Sequence, residues 1–329
     1  MPEGIRSHAR AAVAMTLALV CALFVAACGG DSNGGGGGEG EPATLKVGVI
    51  PIADVAPLYL GIEKGFFKQE KLTIKPKPAE GGAAIVASVV SGEDQIGFSN
   101  TTSLLIANSK NVPVKLIAQG VVGAPKLAQA WDAVLVKKDS PIKSPKDLEG
   151  KTVAVNTLQN VGPLTINTAL KAEGVDYTKV KYAEVPFPDA LAALDSGRVD
   201  AAWEVEPFVS LAKSQGDVPI LYPYEQTAPR LTVASYFTTK QYAEQNSDVV
   251  DRFVKAMNKS LAYAQSHPAE VRKVVLTYTK IPPAAAKAMT LPLWTADLGR
   301  PTIEKQAALA KEYGFLEEEP DLNDLIRQP

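Results

Sequence analysis

Two stretches of this sequence carry the same pattern 105 positions apart. Ala84–Phe98 reads as a helix, a Ser91-Gly92 stop and an apolar strand, and Asp189–Trp203 repeats that order around Ser196-Gly197. Sliding by 105 puts Phe98 on Trp203 and Ser99 on Glu204. Each unit follows a strand–loop–helix of the same kind, so the chain is expected to build two related α/β lobes. The 329 residues agree, since that length exceeds an ordinary single core.

The first lobe opens at Val47–Phe67. Val47, Val49 and Ile50 suit a strand buried on both faces, and Pro51 stops it. Asp54 is either the N-cap of the next helix or a ligand contact, with Pro57 tolerated in the first turn. Leu58, Ile62 and Phe66 give that helix one apolar stripe, and Gly65 loosens its end. Strands are then expected at Leu72–Lys75, Gln95–Phe98 and Val114–Ala118, with helices over Ala84–Val90 and Thr102–Asn108. After a strand at Ala133–Val136, prolines 141 and 145 interrupt regular structure. A second series follows: strands Thr152–Val155, Lys179–Val185, Asp200–Val205, Ile220–Tyr222 and Leu231–Phe237, and helices Pro163–Glu173, Asp189–Leu194 and Pro207 to about Gln215. The tail reads as helical over Asp248–Ala264, Ala269–Tyr278, Ala284–Met289 and Thr302–Tyr313, the last closed by Gly314, with Glu317–Glu319 a solvated acidic end.

The N-terminal region is read as targeting rather than fold. Arg6 and Arg10 precede Ala11–Ala27, which is apolar apart from Thr16 and, at 17 residues, short for a membrane span. It ends in Val25-Ala26-Ala27-Cys28-Gly29, which resembles the bacterial lipobox. Residues 1–27 are therefore expected to be a signal peptide, and Cys28 the lipidated N-terminus, since two acyl chains hold a soluble domain on a membrane. Cys21 is then removed, so no intramolecular disulfide forms. Residues 28–43, with Gly34–Gly38 unbroken, read as a tether.

Composition excludes several functions. Hydrophobic residues are 46% and charged ones 21%, the balance of a soluble globular protein, and the net charge of −2 offers no footprint for nucleic acid. Past the leader the only histidine is His267, and HExxH, Walker A and GxSxG motifs are missing. No metal or cofactor is expected. Serine–histidine, thiol and metal catalysis are disfavoured, while a carboxylate pair keeps acid–base chemistry open.

What the pattern does place is a ring of polar residues at strand ends. Asp54 follows the first strand, Ser99, Asn100 and Thr101 the third, and Asn156, Thr157, Gln159 and Asn160 lead into the helix near Pro163. Asn160 is read first as a cap. Trp203, Glu204 and Glu206 end the matching strand of the second lobe, and Ser235 and Tyr236 lie on the strand returning to the first. Carboxyl ends of strands in α/β sheets are where ligands bind.

Four segments in order carry a resemblance: APLYLGIEKGFF at Ala56–Phe67, DQIGFSNTTSL at Asp94–Leu104, DLEGKTVAVN at Asp147–Asn156 and ALAALDSGRVDAAWEVEPF at Ala190–Phe208. Over about Leu45–Tyr313 the sequence resembles solute-binding lipoproteins of ABC importers, in the nitrate/sulfonate/taurine/thiamine-precursor group. The resemblance implies a two-lobed periplasmic-binding-protein type II fold, each lobe a mostly parallel sheet flanked by helices. It implies two hinge crossings, near Trp131–Lys137 and Arg230–Tyr236, with residues 44–134 and 232–329 in lobe 1 and 135–231 in lobe 2. It further implies a monomer, lipid-anchored outside the cytoplasm, that binds a small solute and delivers it to a membrane permease. Carried over position by position, the ligand residues are Asp54, Ser99, Asn100, Thr101, Asn156, Thr157, Gln159, Trp203, Glu204 and Tyr236. Asp54 and Glu204 are expected to face one another across the cleft with no basic residue in the strand-end loops, favouring an amine, zwitterion or N–H heterocycle over a bare sulfonate or nitrate. Arg230 is the nearest compensating cation, or else a solvated loop residue. The competing readings are an enzyme of thiamine-precursor type on the same fold, and a ligand sensor for a membrane partner.

Overall fold

A computed structural model describes residues 40–327; the leader, Cys28 and nearly all of the tether lie outside the described residues. Ten strands form two sheets. They are β1 (Ala43–Val49), β2 (Leu72–Pro78), β3 (Ile96–Asn100), β4 (Val114–Val122), β5 (Asp132–Val136), β6 (Thr152–Val155), β7 (Lys181–Glu184), β8 (Ala201–Val205), β9 (Val218–Leu221) and β10 (Thr232–Thr239). The strand orders are β2-β1-β3-β10-β4 and β7-β6-β8-β5-β9.

Both sheets have the same plan. β1 pairs in parallel with β2 and β3, and β6 with β7 and β8. β10 runs antiparallel to β3 and β4, and β5 antiparallel to β8 and β9. Each sheet is thus mostly parallel with one reversed strand, and the reversed strand is the one arriving from the other half of the chain. It enters at the edge where its neighbours end, so it must run away from that edge. Strand periodicity carries no direction, which is why the reversal is invisible in sequence.

The echoed units superpose in position as well as pattern. Helix Gly82–Val90 and strand β3 correspond to helix Phe187–Asp195 and strand β8 at the same 105-residue offset. In the pairing, Val47 and Gly48 face Ile96 and Gly97, while Val153 and Ala154 face Ala201 and Ala202.

The chain crosses between sheets from Val122 to Asp132 and returns between Leu221 and Thr232. The two crossings are tied together: Gly123 N donates to Leu231 O at 2.7 Å, and Arg230 N to Ala124 O at 3.2 Å. The tail helix Ser247–Ser266 packs on helix Ala56–Glu63 through Phe253, Met257 and Leu261, all fully buried.

The opening helix differs from its sequence reading. A 3-10 turn over Ala53–Val55 precedes helix Ala56–Glu63, and the Asp54 side chain caps nothing. Leu58 and Leu60 are buried, but Ile62 is 36% exposed. Gly65 at φ 71° ends that helix and starts a separate turn, Phe66–Gln69, so Phe66 is not on one continuous stripe with Ile62. Among the described residues no helix is long and apolar enough to cross a membrane.

Candidate ligand-binding site

The carboxyl ends of β1, β2 and β3 meet those of β6, β7 and β8 across a narrow seam. Ala53 N donates to Glu206 O at 2.9 Å, joining the loop after β1 to the end of β8. The Glu206 carboxylate accepts from Ser210 N, Ser210 Oγ and Thr290 N, so it is fully engaged in holding local structure. Gly81, between β2 and its helix, is close to the loop after β6: a Cβ there would lie 2.6 Å from Thr157 Oγ1 and 3.6 Å from Asn156 Nδ2. Beside it, a Cβ on Gly82 would lie 2.2 Å from Ser99 Oγ and 2.9 Å from Asn100 Nδ2. Gly81, Gly82, Ser99, Asn156 and Thr157 therefore form one cluster drawn from both sheets.

Helix Gly82–Val90 begins there with no side-chain cap, and the buried Ser99 hydroxyl has no partner. An open helix N-terminus favours an acceptor or a negative group. The second half lacks this opening. Phe187 stands at the position equivalent to Gly82, with its ring 5.5 Å from Trp203 and 6.3 Å from Phe208. A crevice of about 230 Å³ runs between the halves, lined by Ile52, Pro78, Pro186, Phe187 and Phe208 and edged by Glu80 and Asp189.

On the other side of β3 and β10 lies an acid among aromatic rings. Asp54 is 3% exposed and its Oδ1 has no partner. Burial pushes its carboxyl up to about 8, so it is largely protonated at neutral pH. Trp294 Nε1 donates to Asp54 O at 3.1 Å and Tyr278 OH to Ile52 O at 3.0 Å. Tyr59 stacks on Tyr278 at 4.0 Å. Tyr224 and Tyr236 complete the surroundings, each pushed upward by burial and further by charge that includes Asp54. The Tyr236 hydroxyl is also buried without a partner. Tyr224 reaches over from the second half, its ring 5.0 Å from Trp131.

Other expected residues go elsewhere. Asn100 is the N-cap of helix Thr101–Ser109, accepting from Ser103 N at 2.9 Å and donating to Ser103 Oγ at 3.0 Å. Thr101 Oγ1 donates to Thr232 O on β10. Asn160 caps helix Val161–Ala172 through Gly162 N and donates to Asn156 Oδ1, leaving the Asn156 amide NH₂ toward Gly81. Gln159 is exposed, and so is Arg230, which compensates no buried carboxylate.

Trp203 and Glu204 are strand neighbours and so point to opposite faces of the sheet. Trp203 packs inside the second half and donates from Nε1 to Asp132 Oδ2 at 3.1 Å. Glu204 stands opposite Ala133, fully buried, with neither oxygen bonded, and burial holds its carboxyl well above the usual range. The expectation that Asp54 and Glu204 face one another is corrected: burial alone perturbs Glu204, no charge of Glu204 acts on Asp54, and the groups that sense Asp54 are the uncharged tyrosines Tyr224, Tyr236 and Tyr278. A period-two strand presenting Trp203 to one side must send Glu204 to the other.

Asp132 is a buried acid missed by the sequence reading, although Trp131-Asp132-Ala133-Val134 carries the same signal as Glu204, a carboxylate in an apolar strand. Burial, then repulsion from Glu225, pushes Asp132 up, and burial pushes Glu225 up beside it near the crossings. Glu225 Oε1 accepts from Ala124 N at 2.9 Å. Tyr59, Tyr224, Tyr278 and Trp294 were likewise missed, since they come from four distant segments with no shared local pattern.

Residues 52–271 match the family described as NMT1/THI5 like. The chain belongs to that family. Relatives of this NMT1/THI5-like chain include the taurine-binding periplasmic protein of Escherichia coli, 31% identical over 195 residues, which are 58% of this chain and 57% of that protein. The family also holds an enzyme, the 4-amino-5-hydroxymethyl-2-methylpyrimidine phosphate synthase of Aspergillus parasiticus, 26% identical over 65% of this chain and 64% of that one. The alkanesulfonate-binding protein SsuA of Xanthomonas axonopodis has the same fold, with a TM-score of 0.75 at 17% identity over 88% of this chain and 99% of that one. Homologues of the NMT1/THI5-like chain include periplasmic or extracytoplasmic solute-binding proteins of ABC importers.

Proposed function

We propose that this protein is the extracytoplasmic solute receptor of an ABC importer, holding a small polar solute between its two sheets and presenting it to a membrane permease. The observation that carries this is the seam itself, where Ala53 N donates to Glu206 O and Gly81 lies against Thr157, with buried polar groups on the seam's own loops and strand ends, Asp54 Oδ1 and Ser99 Oγ, left without partners. Buried polar groups in native proteins are almost always paired, so a cluster of them at strand ends marks a site for a ligand's complementary atoms. The residues in reach are Asp54, Ser99, Asn156, Thr157 and Tyr236. Trp203, Asn100 and Thr101 shape the site from behind.

Gly81→Val tests capture by both halves. Gly81 has φ −166°, extended backbone that any residue adopts. The added side chain meets Thr157 across the seam. The tightest binder from a thermal-shift screen of sulfonates, amines, zwitterions and heterocycles is expected to lose at least about tenfold in affinity, with circular dichroism showing that the variant is folded. Unchanged affinity would contradict closure around the solute.

The mature protein is proposed to be a monomer anchored through diacylglyceryl-Cys28, with the glycine-rich segment as its tether. Mass spectrometry of the native N-terminus is expected to find acylated Cys28; an unmodified Cys28 there would refute the anchor.

A further inference from the structure

We propose that Asp54 and its ring of aromatic side chains form a subsite for a protonated amine or a ring N–H of the solute, so that solutes lacking such a group are poor ligands. The inference rests on the receptor reading above and names the chemistry of one end of its site.

Four features of the geometry support it. Asp54 is the carboxylate at the end of β1, buried, with Oδ1 unpartnered. Around it stand Tyr224, Tyr236 and Tyr278, with Tyr59 stacked on Tyr278 and Trp294 donating to the Asp54 carbonyl, an aromatic setting that suits a cation or a polarised N–H. The hydroxyl of Tyr236 stands there without a partner and can accept from the same nitrogen. The crevice beside Ile52 is edged by Glu80 and Asp189, so the approach is acidic.

The groups facing Asp54 decide its titration. From helix Ala56–Glu63 comes Tyr59, from β10 Tyr236, from helix Pro268–Tyr278 Tyr278, and from helix Pro223–Thr227 Tyr224, behind which sit Glu225 and Asp132. Among the described residues no lysine, arginine or histidine acts on Asp54. A bound cation would be the first positive charge beside the carboxyl, and would favour its ionised form. At pH 7 binding must then expel the Asp54 proton to solvent. Affinity should rise up to tenfold per pH unit between pH 6 and about 8 and level off above.

The opposite end of the site is chemically distinct, with the open helix start at Gly82 and the Ser99 hydroxyl offering donors to an oxygen-rich group. A solute with nitrogen at one end and oxygens at the other uses both.

The experiment is titration calorimetry on the tag-free wild-type protein with matched probes whose amine is already protonated at pH 7: taurine against ethanesulfonate, and β-alanine against propionate. At least one amino-bearing probe is expected to bind at least tenfold tighter than its amino-free counterpart. Its heat should differ between phosphate and Tris at pH 7, reporting close to one proton released. Asp54→Asn should weaken that probe ten- to a hundredfold or more and abolish both the proton release and the pH slope, effects a merely structural role would not produce. Binding of ethanesulfonate or propionate as tightly as the amine, with Asp54→Asn unchanged, overturns the subsite while leaving the receptor reading intact. Absence of binding by every amino-bearing probe also overturns it. Failure of the Gly81→Val test separates the other case, in which the receptor reading itself falls.

Discussion

Asp54→Asn should stabilise the empty protein at pH 8 by about 5 kcal/mol relative to wild type, and scarcely at all at about pH 3. The sign follows from linkage. Burial raises the Asp54 carboxyl from 3.8 to about 8, so the folded state holds a proton that the unfolded chain releases. Stability from that proton is fully present below the unfolded value and is lost as pH climbs from about 4 toward 8. Each unit of the interval is worth about 1.4 kcal/mol. Asparagine has nearly the shape of the protonated acid and no charge to desolvate, so it escapes the loss. Asp132, Glu204, Glu206 and Glu225 are raised by burial as well, but they are common to both proteins and cancel in the difference. In calorimetric melting the gap should widen from near zero at about pH 3 to on the order of 10 °C at about pH 8. A gap that stays constant with pH would mean that Asp54 is solvated and charged throughout. The wild type thus tolerates a destabilising acid, as expected where a ligand rather than the fold completes the site.

Trp203→Ala should be the most damaging single truncation in the second half, at about 3–5 kcal/mol. The indole is 1% exposed and wedged between Phe187 at 5.5 Å and Tyr224 at 5.8 Å. Its ring also fills the space over Gly162, where a Cβ would come within 2.7 Å. Deletion leaves a cavity at the junction of β8 and helix Val161–Ala172 that neighbours on rigid elements cannot close. It also removes the N–H donated to Asp132, leaving that acid with one bond fewer in a buried site. Trp203→Phe should cost markedly less. Urea denaturation measures both. Because Trp203 supports the site without entering it, Trp203→Phe should leave solute affinity within a few-fold of wild type. A large loss of affinity with little change in stability would instead make Trp203 a ligand contact.

The repeated unit was legible because it is local. A helix, a Ser-Gly stop and an apolar strand are written in consecutive residues, and both copies keep their 105-residue offset in space. The reversal of β5 and β10 was not legible, since strand patterns have no sense of direction. Several of the polar segments that sequence assigns to strand ends lie together along one sheet edge in the structure, because polar residues after apolar runs mark strand ends. Sequence misjudged which way side chains turn there: reading Trp203 and Glu204 as wall residues together ignores the alternation of a strand, and a cap role for Asp54 overlooked the 3-10 turn Ala53–Val55 that contains it. Tyr59, Tyr224 and Tyr278 were beyond reach because only the tertiary fold gathers them with Tyr236 around Asp54.

The most direct test of capture between the two halves is a crystal structure of the protein with the tightest solute from the matched probes. The expected complex places the solute at the seam, its nitrogen within about 3 Å of the Asp54 carboxylate, with contacts to Ser99 on one side and Asn156 or Thr157 on the other. A solute bound to one half alone, or lying away from Asp54, would contradict the account.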